Sequence, residues 1–124
     1  MPDKPIILYV DDEFLNLKLF EVKFGNKYHI LTAENGSRGL ELLESVPNVR
    51  IVISDMKMSD INGIDLTKKA IEKYPAVDYF ILTGYDINEE IRKAYNSGLI
   101  KKYFCKPLNF LEISSSIEEV LSAE

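Results

Sequence analysis

Little in this sequence could cross-link the chain or hold it in a membrane. Cys105 is the only cysteine among 124 residues, so no intrachain disulfide can form, and the dense cysteine spacing of small secreted scaffolds is absent. That scarcity points to a reducing, cytoplasmic setting. No apolar run approaches the ~18 residues of a membrane-spanning helix, and the apolar stretch that opens at Ile6 meets Asp11 and Asp12 too early for a signal peptide. A basic excess is lacking as well: Lys+Arg 15 against Asp+Glu 20 gives a net charge of −5, which argues against direct binding to nucleic acid or to an anionic membrane surface. The single histidine, His29, has no second histidine with which to share a metal and reads as structural. Repeats, low-complexity tracts and linker-like segments are also missing. With 46% hydrophobic residues, residues 1–124 are expected to form one domain around a compact core.

What is present is an alternation of two periods. Ile6 to Val10, Ile30 to Ala33, Ile51 to Ser54, Tyr79 to Leu82 and, more weakly, Lys102 to Cys105 are short apolar runs rich in β-branched and aromatic residues. They read as buried strands. Cys105 reads as a small buried residue at the end of the fifth. Between the strands, Phe14 to Phe24, Ser37 to Leu43, Ile64 to Ile71, Ile87 to Tyr95 and Asn109 to Leu121 have helical spacing. In the last of these, Phe110, Ile113, Ile117, Val120 and Leu121 make one apolar face, with Asn109 placed as N-cap. Turn signals fall at Asn35-Gly36, Asn62-Gly63 and Ser97-Gly98. The first helix has two apolar stripes: Leu15, Leu19 and Val22, and Leu17, Phe20 and Phe24. One is expected to be core and the other to cover a neighbouring helix in part, or to meet a partner. Strands alternating with helices imply an α/β fold, a parallel sheet covered on both faces, with its working site at the carboxyl ends of the strands.

At those ends stand Asp11, Asp12 and Glu13 after the first strand, Asp55 after the third, Thr83 after the fourth and Lys106 after the fifth. Singly, each has a plain structural reading: a helix cap, a solvated loop, a surface charge. Together they form a constellation. Three close carboxylates repel one another, and a divalent cation relieves the repulsion; an oxygen-only donor set suits Mg²⁺. An aspartate is also a competent nucleophile toward phosphorus, with a lysine ammonium and a threonine hydroxyl to stabilise phosphoryl oxygens.

The run Val10-Asp11-Asp12-Glu13, the stretch Asp55-Met56-Lys57-Met58 followed by Gly63, the triplet Leu82-Thr83-Gly84 and the pair Lys106-Pro107 resemble, in order and spacing, the CheY-like receiver domain of two-component response regulators. The resemblance extends from Ile6 to about Leu121. It implies a flavodoxin-like, doubly wound sheet of five parallel strands with five helices. It further implies that Asp55 accepts a phosphoryl group from a sensor histidine kinase or phosphotransfer protein. By the same resemblance Asp12, Asp55 and the backbone carbonyl of Lys57 bind Mg²⁺, with Asp11 acting through water. Thr83 and Lys106 engage the phosphoryl group, Tyr103 is the switch aromatic, and the Lys106-Pro107 bond is cis. Such a protein promotes its own phosphorylation and dephosphorylation but is not otherwise an enzyme.

Two departures carry expectations. Ser59 stands where the family often has proline, which predicts a looser loop from Lys57 to Asn62. Tyr85, two residues beyond Thr83, is bulky enough to shield an acyl phosphate from water, which predicts slow self-dephosphorylation. The output is expected on the fourth helix, fifth strand and fifth helix, where Arg92, Lys93, Tyr95, Lys101 and Lys102 offer either a solvated charged face or a surface for an effector or a second copy. Two other readings remain: an Mg²⁺-dependent phosphohydrolase with an aspartate nucleophile, disfavoured by Lys57 where such enzymes carry a second acid, and a receiver-like interaction module that works without phosphate. Whether the chain stands alone or belongs to a longer protein is open.

Overall fold

A computed structural model describes residues 4–84 and 88–123. Tyr85, and Ile87 as the expected start of the fourth helix, lie outside the described residues. Five strands, β1 (Ile6–Val10), β2 (His29–Ala33), β3 (Val49–Asp55), β4 (Asp78–Thr83) and β5 (Lys102–Cys105), alternate with five helices, α1 (Phe14–Phe24), α2 (Gly36–Ser45), α3 (Gly63–Lys73), α4 (Glu89–Asn96) and α5 (Phe110–Ser122). All strand pairs are parallel, in the order β2-β1-β3-β4-β5. The chain therefore reverses its direction of travel across the sheet between β1 and β3, and a crevice opens at that point beyond the strands' carboxyl ends.

Period-two alternation divides the core into two layers. Ile7 and Tyr9 of β1 face one side and pack with Leu17, Phe20 and Phe24 of α1, Ile113, Ile117 and Val120 of α5, and Ile51, Ile53, Phe80, Leu82 and Phe104 of the sheet. Leu8 and Val10 face the other side, against α2, α3 and α4, with Val52, Ile81, Ile64, Leu66, Ile91 and Ala94. The central strands β1, β3 and β4 are almost wholly buried, whereas β2 and β5, at the sheet's edges, are half-exposed.

Four helices begin on an asparagine whose side chain accepts the third residue's N–H: Asn35, Asn62, Asn88 and Asn109 receive Arg38, Asp65, Ile91 and Glu112. The turn signals at Asn35-Gly36 and Asn62-Gly63 are thus helix starts. Gly98 turns the chain between α4 and β5 with φ 84°, a left-handed conformation that an L side chain resists.

Two sequence expectations are corrected. The stripe Leu15, Leu19 and Val22 is open to solvent rather than packed on a neighbouring helix among the described residues: Leu15 is 68%, Leu19 41% and Val22 74% exposed, because Leu17, Phe20 and Phe24 turn toward the sheet. Cys105 is exposed rather than buried. On edge strand β5 only Phe104 enters the α1/α5 core, and Cys105 ends the strand on the alternate face, open to solvent.

Candidate functional site

The strand ends are held in register by backbone bonds that continue past the strands. Asp11 N–H donates to Ala33 at 3.0 Å, Met56 to Leu82 at 2.7 Å and Lys106 to Thr83 at 2.7 Å. These bonds carry the side chains after β1, β3 and β5 toward one cleft of about 490 Å³, bounded by Asp12, Asp55, Lys57, Thr83, Asn88 and Lys106 among others. Asp55 and Thr83, the last residues of β3 and β4, are each 5% exposed, and Asp11 is fully buried. Asp12 is open to solvent.

Asp11, Asp12 and Asp55 each offer a carboxylate oxygen, and the three oxygens lie within 4.8 Å of one another. The Lys106 ammonium bonds Asp55 Oδ2 at 3.0 Å and lies 3.6 Å from Asp11 Oδ2 and 3.9 Å from Glu13 Oε1. Burial disfavours the Asp55 carboxylate and raises its pKa; the bond to Lys106 opposes this, and repulsion from Asp11 and Asp12 adds to it. For Lys106, desolvation works against the charge, but the hydrogen bond and attraction to Asp55 outweigh it and the pKa is raised. Lys106 and the exposed Lys57 are outnumbered by the carboxylates of Asp11, Asp12, Glu13 and Asp55, which leaves the cleft negative. Its donors are all hard oxygens, the chemistry of a Mg²⁺ site rather than of a softer metal.

The floor under Asp55 needs a glycine. A Cβ at Gly63 would lie 2.6 Å from the Asp55 carbonyl oxygen and 2.8 Å from Ile81 Cδ1. The Gly63 N–H donates to Met56 at 2.9 Å, closing the loop after β3. That loop, expected to be loose for want of a proline, is tied at Asp60 instead. Its carboxylate accepts from the N–H groups of Gly36 at 3.0 Å and Ser37 at 2.8 Å, the Ser37 hydroxyl at 3.0 Å and its neighbour Ile61 at 2.8 Å. It thereby clamps the loop to the N-terminus of α2, where an anion is favoured.

Among the other anticipated residues, Lys57 is an exposed member of the cleft wall. Tyr103 is half-buried on β5 and meets the half-exposed Tyr95 edge to face, ring centres 5.2 Å apart. Lys106-Pro107 is cis. Three contributors escaped the sequence reading. Tyr9 and Asn16 donate hydrogen bonds to Asp11, and Asn88, the N-cap of α4, stands in the cleft wall. For Tyr9 the available signal was a hydroxyl-bearing residue two positions before Asp11, hence on the same side of the strand.

Residues 7–118 match the family described as the response regulator receiver domain. The chain is 35% identical over 91 residues to the uncharacterized transcriptional regulatory protein YesN of Bacillus subtilis, covering 73% of this chain and 24% of that protein. It is 26% identical over 120 residues to the two-component response regulator ORR5 of Oryza sativa, covering 94% of this chain and 89% of that one. Among solved structures, a CheY-like receiver domain protein from Methanospirillum hungatei superposes with a TM-score of 0.89 at 26% identity, over 98% of this chain and 96% of that chain. The response regulator TrrA of Thermotoga maritima, in complex with Mg²⁺ and BeF, gives 0.80 at 29% identity over 94% of this chain and 98% of that one. The chain spans about a quarter of the length of bacterial regulators such as YesN (24%) and HoxA of Cupriavidus necator (22%).

Proposed function

The chain belongs to the response regulator receiver family of two-component signal transduction, and from that premise we propose that it is a phosphoacceptor switch whose reactive group is the Asp55 carboxylate. The observation that carries this reading is the placement of Asp55: buried at the end of β3, 3.0 Å from the Lys106 ammonium and within one oxygen cluster with Asp11 and Asp12. A carboxylate oxygen of Asp55 forms a bond to phosphorus while the P–N bond of a donor phosphohistidine breaks. The imidazole leaves with its electron pair and takes a proton from solvent. Lys106 then pairs with the acyl phosphate, and the Thr83 hydroxyl donates to one of its oxygens. Asp12, Asp55 and the Lys57 carbonyl would hold Mg²⁺ directly, with Asp11 behind a water; bound there, it supplies charge neutralisation at the phosphoryl oxygens.

The donor in this reading is a histidine kinase or phosphotransfer protein, and the output is a change in packing at α4, β5 and α5, read by an effector. Arg92, Lys93 and Lys101 give that face exposed positive charge, while Lys102 is engaged with Glu119 at 2.6 Å. Tyr103, with Tyr95 against its ring, is the aromatic that would report the state of Thr83. The test is intact mass after incubation with a small-molecule phosphodonor and Mg²⁺. One added phosphoryl group on the parent and none on Asp55→Asn is expected. No addition to the parent, or equal addition to the variant, removes the reading.

A further inference from the structure

Tyr9 is the penultimate residue of β1, fully buried, on the α1/α5 side of the sheet. A hydroxyl in that layer needs a partner, since burying an unpaired one costs free energy. It finds one two residues along the same face of the strand, where it donates to Asp11 Oδ2 at 2.7 Å. The ring has little freedom, because it is stacked on Phe20 with centroids 4.3 Å apart and planes 15° apart. Burial and the bond to Asp11 both disfavour the phenolate, so Tyr9 acts as a neutral donor, its pKa pushed far up.

Asp11 is held from three further directions. Asn16 Nδ2 donates to Oδ2 at 3.1 Å, the Glu13 N–H donates to Oδ1 at 2.9 Å, and the Lys106 ammonium lies 3.6 Å from Oδ2. A carboxylate offers about four acceptor positions. Among the described residues the hydrogen bonds occupy three: both on Oδ2 and one on Oδ1. Oδ2 thus takes two donors and lies beside the Lys106 ammonium of the cleft wall, and one acceptor position of Oδ1 stays open. Asn16 is half-exposed and the Glu13 N–H belongs to the loop. Tyr9 is the one donor of the three fixed by the core.

Resting on the reading of the cleft as a Mg²⁺ site, we propose that Tyr9 is a positioning residue for that site: its hydroxyl, anchored by the Phe20 stack, pins Asp11 so that one carboxylate edge is presented to the cation. Asp11 is the member of the trio that the family resemblance places behind a water, so its aim matters more than its bare charge. Partners of this outer kind orient the groups around a metal, and losing one costs affinity.

The test is a calorimetric Mg²⁺ titration of the parent, Tyr9→Phe, Asp11→Asn and the double variant. Tyr9→Phe keeps the ring and its stacking and removes only the hydroxyl. Its Mg²⁺ dissociation constant is expected to rise about tenfold, and the same change in the Asp11→Asn background is expected to have an effect below about twofold, because Tyr9 acts through Asp11. A residue that merely filled the core would lower the unfolding temperature with the Mg²⁺ affinity unchanged. Tyr9→Phe binding Mg²⁺ as the parent does, or losing affinity equally in both backgrounds, overturns the proposal. A parent that binds no Mg²⁺ overturns the reading of the cleft itself, a distinguishable outcome. A second measurement needs no variant: the Tyr9 Cζ resonance of the parent is expected to shift with Mg²⁺ occupancy, and a resonance that stays fixed while the cleft fills counts against the link.

Discussion

The two layers on either side of the sheet secure the same cleft by different physics. The α1/α5 layer is aromatic: Tyr9 stacks on Phe20, Phe20 meets Phe24 at 4.6 Å, Phe24 meets Phe110 at 5.8 Å, and Phe80 meets Phe104 edge to face at 5.7 Å. It reaches the site through one buried hydroxyl. The α2–α4 layer is mainly aliphatic, built on Leu8, Val10, Val52, Ile64, Leu66, Ile81 and Ile91. It reaches the site at the surface, through the loop carboxylate of Asp60, which is bonded to the N-terminus of α2, and the tight passage at Gly63. One layer holds the acidic pair after β1; the other holds the loop after Asp55. The first hold rests on packing and the second largely on charge, so they should fail under different perturbations.

The largest effect is expected in the aromatic layer. Phe20 is fully buried and supports both Tyr9 and Phe24. Phe20→Ala is expected to cost roughly 3–5 kcal/mol, against roughly 0.5–1.5 kcal/mol for Ile91→Val in the other layer, measured by urea unfolding at neutral pH. Comparable costs would break the contrast between the layers. At Gly63 the effect is smaller in stability but nearer the chemistry. Gly63→Ala forces a methyl against the Asp55 carbonyl and Ile81, and is expected to cost roughly 1–3 kcal/mol by overpacking. Because the strain falls on the backbone of Asp55, phosphoryl acceptance should slow more than in any variant of equal stability elsewhere, a difference that intact-mass time courses would reveal.

These contrasts mark how far the sequence could be read. Strand and helix positions were legible because each period is strongly written: β1, α1 and β5 run over the residues their patterns indicate, and the other elements differ only at their ends. The cleft residues were legible for a related reason. A polar residue directly after a buried strand has one place to go in a parallel sheet, so Asp55, Thr83 and Lys106 could be brought together from positions far apart in the chain. Tyr9 was not legible as a site residue, since in an apolar strand its ring satisfies the pattern and conceals the hydroxyl. Cys105 misled for the opposite reason: its type favours burial, but the edge position of β5 decides exposure. Asp60 sits in a loop whose sequence says only that it is polar. Its partners, Gly36 and Ser37, are more than 20 residues away in the chain.

Asp60 also supplies the sharpest way to separate the two holds, through pH. Partial burial works against its charge, but the hydrogen bonds from the Ser37, Gly36 and Ile61 N–H groups and the Ser37 hydroxyl outweigh this and hold its pKa at about 2, below the ordinary 3.8. A carboxylate whose pKa is lowered on folding stabilises the fold above its unfolded value and loses that contribution as pH falls through its folded one. The Asp60 clamp should therefore be complete at neutral pH, weaken as pH falls below about 4 and be fully lost only below about pH 2. The side chain is exposed, so its worth is modest, about 1 kcal/mol as for a helix cap. Asp60→Asn should cost that much near pH 7 and only a small part of it near pH 2, in paired unfolding measurements of parent and variant. The Phe20→Ala penalty should be nearly the same at both ends of that range, because Tyr9, the ionisable ring stacked on Phe20, stays neutral throughout it. A pH-independent Asp60→Asn penalty would mean that the loop is held by shape rather than by charge, and the two layers would then differ in composition alone.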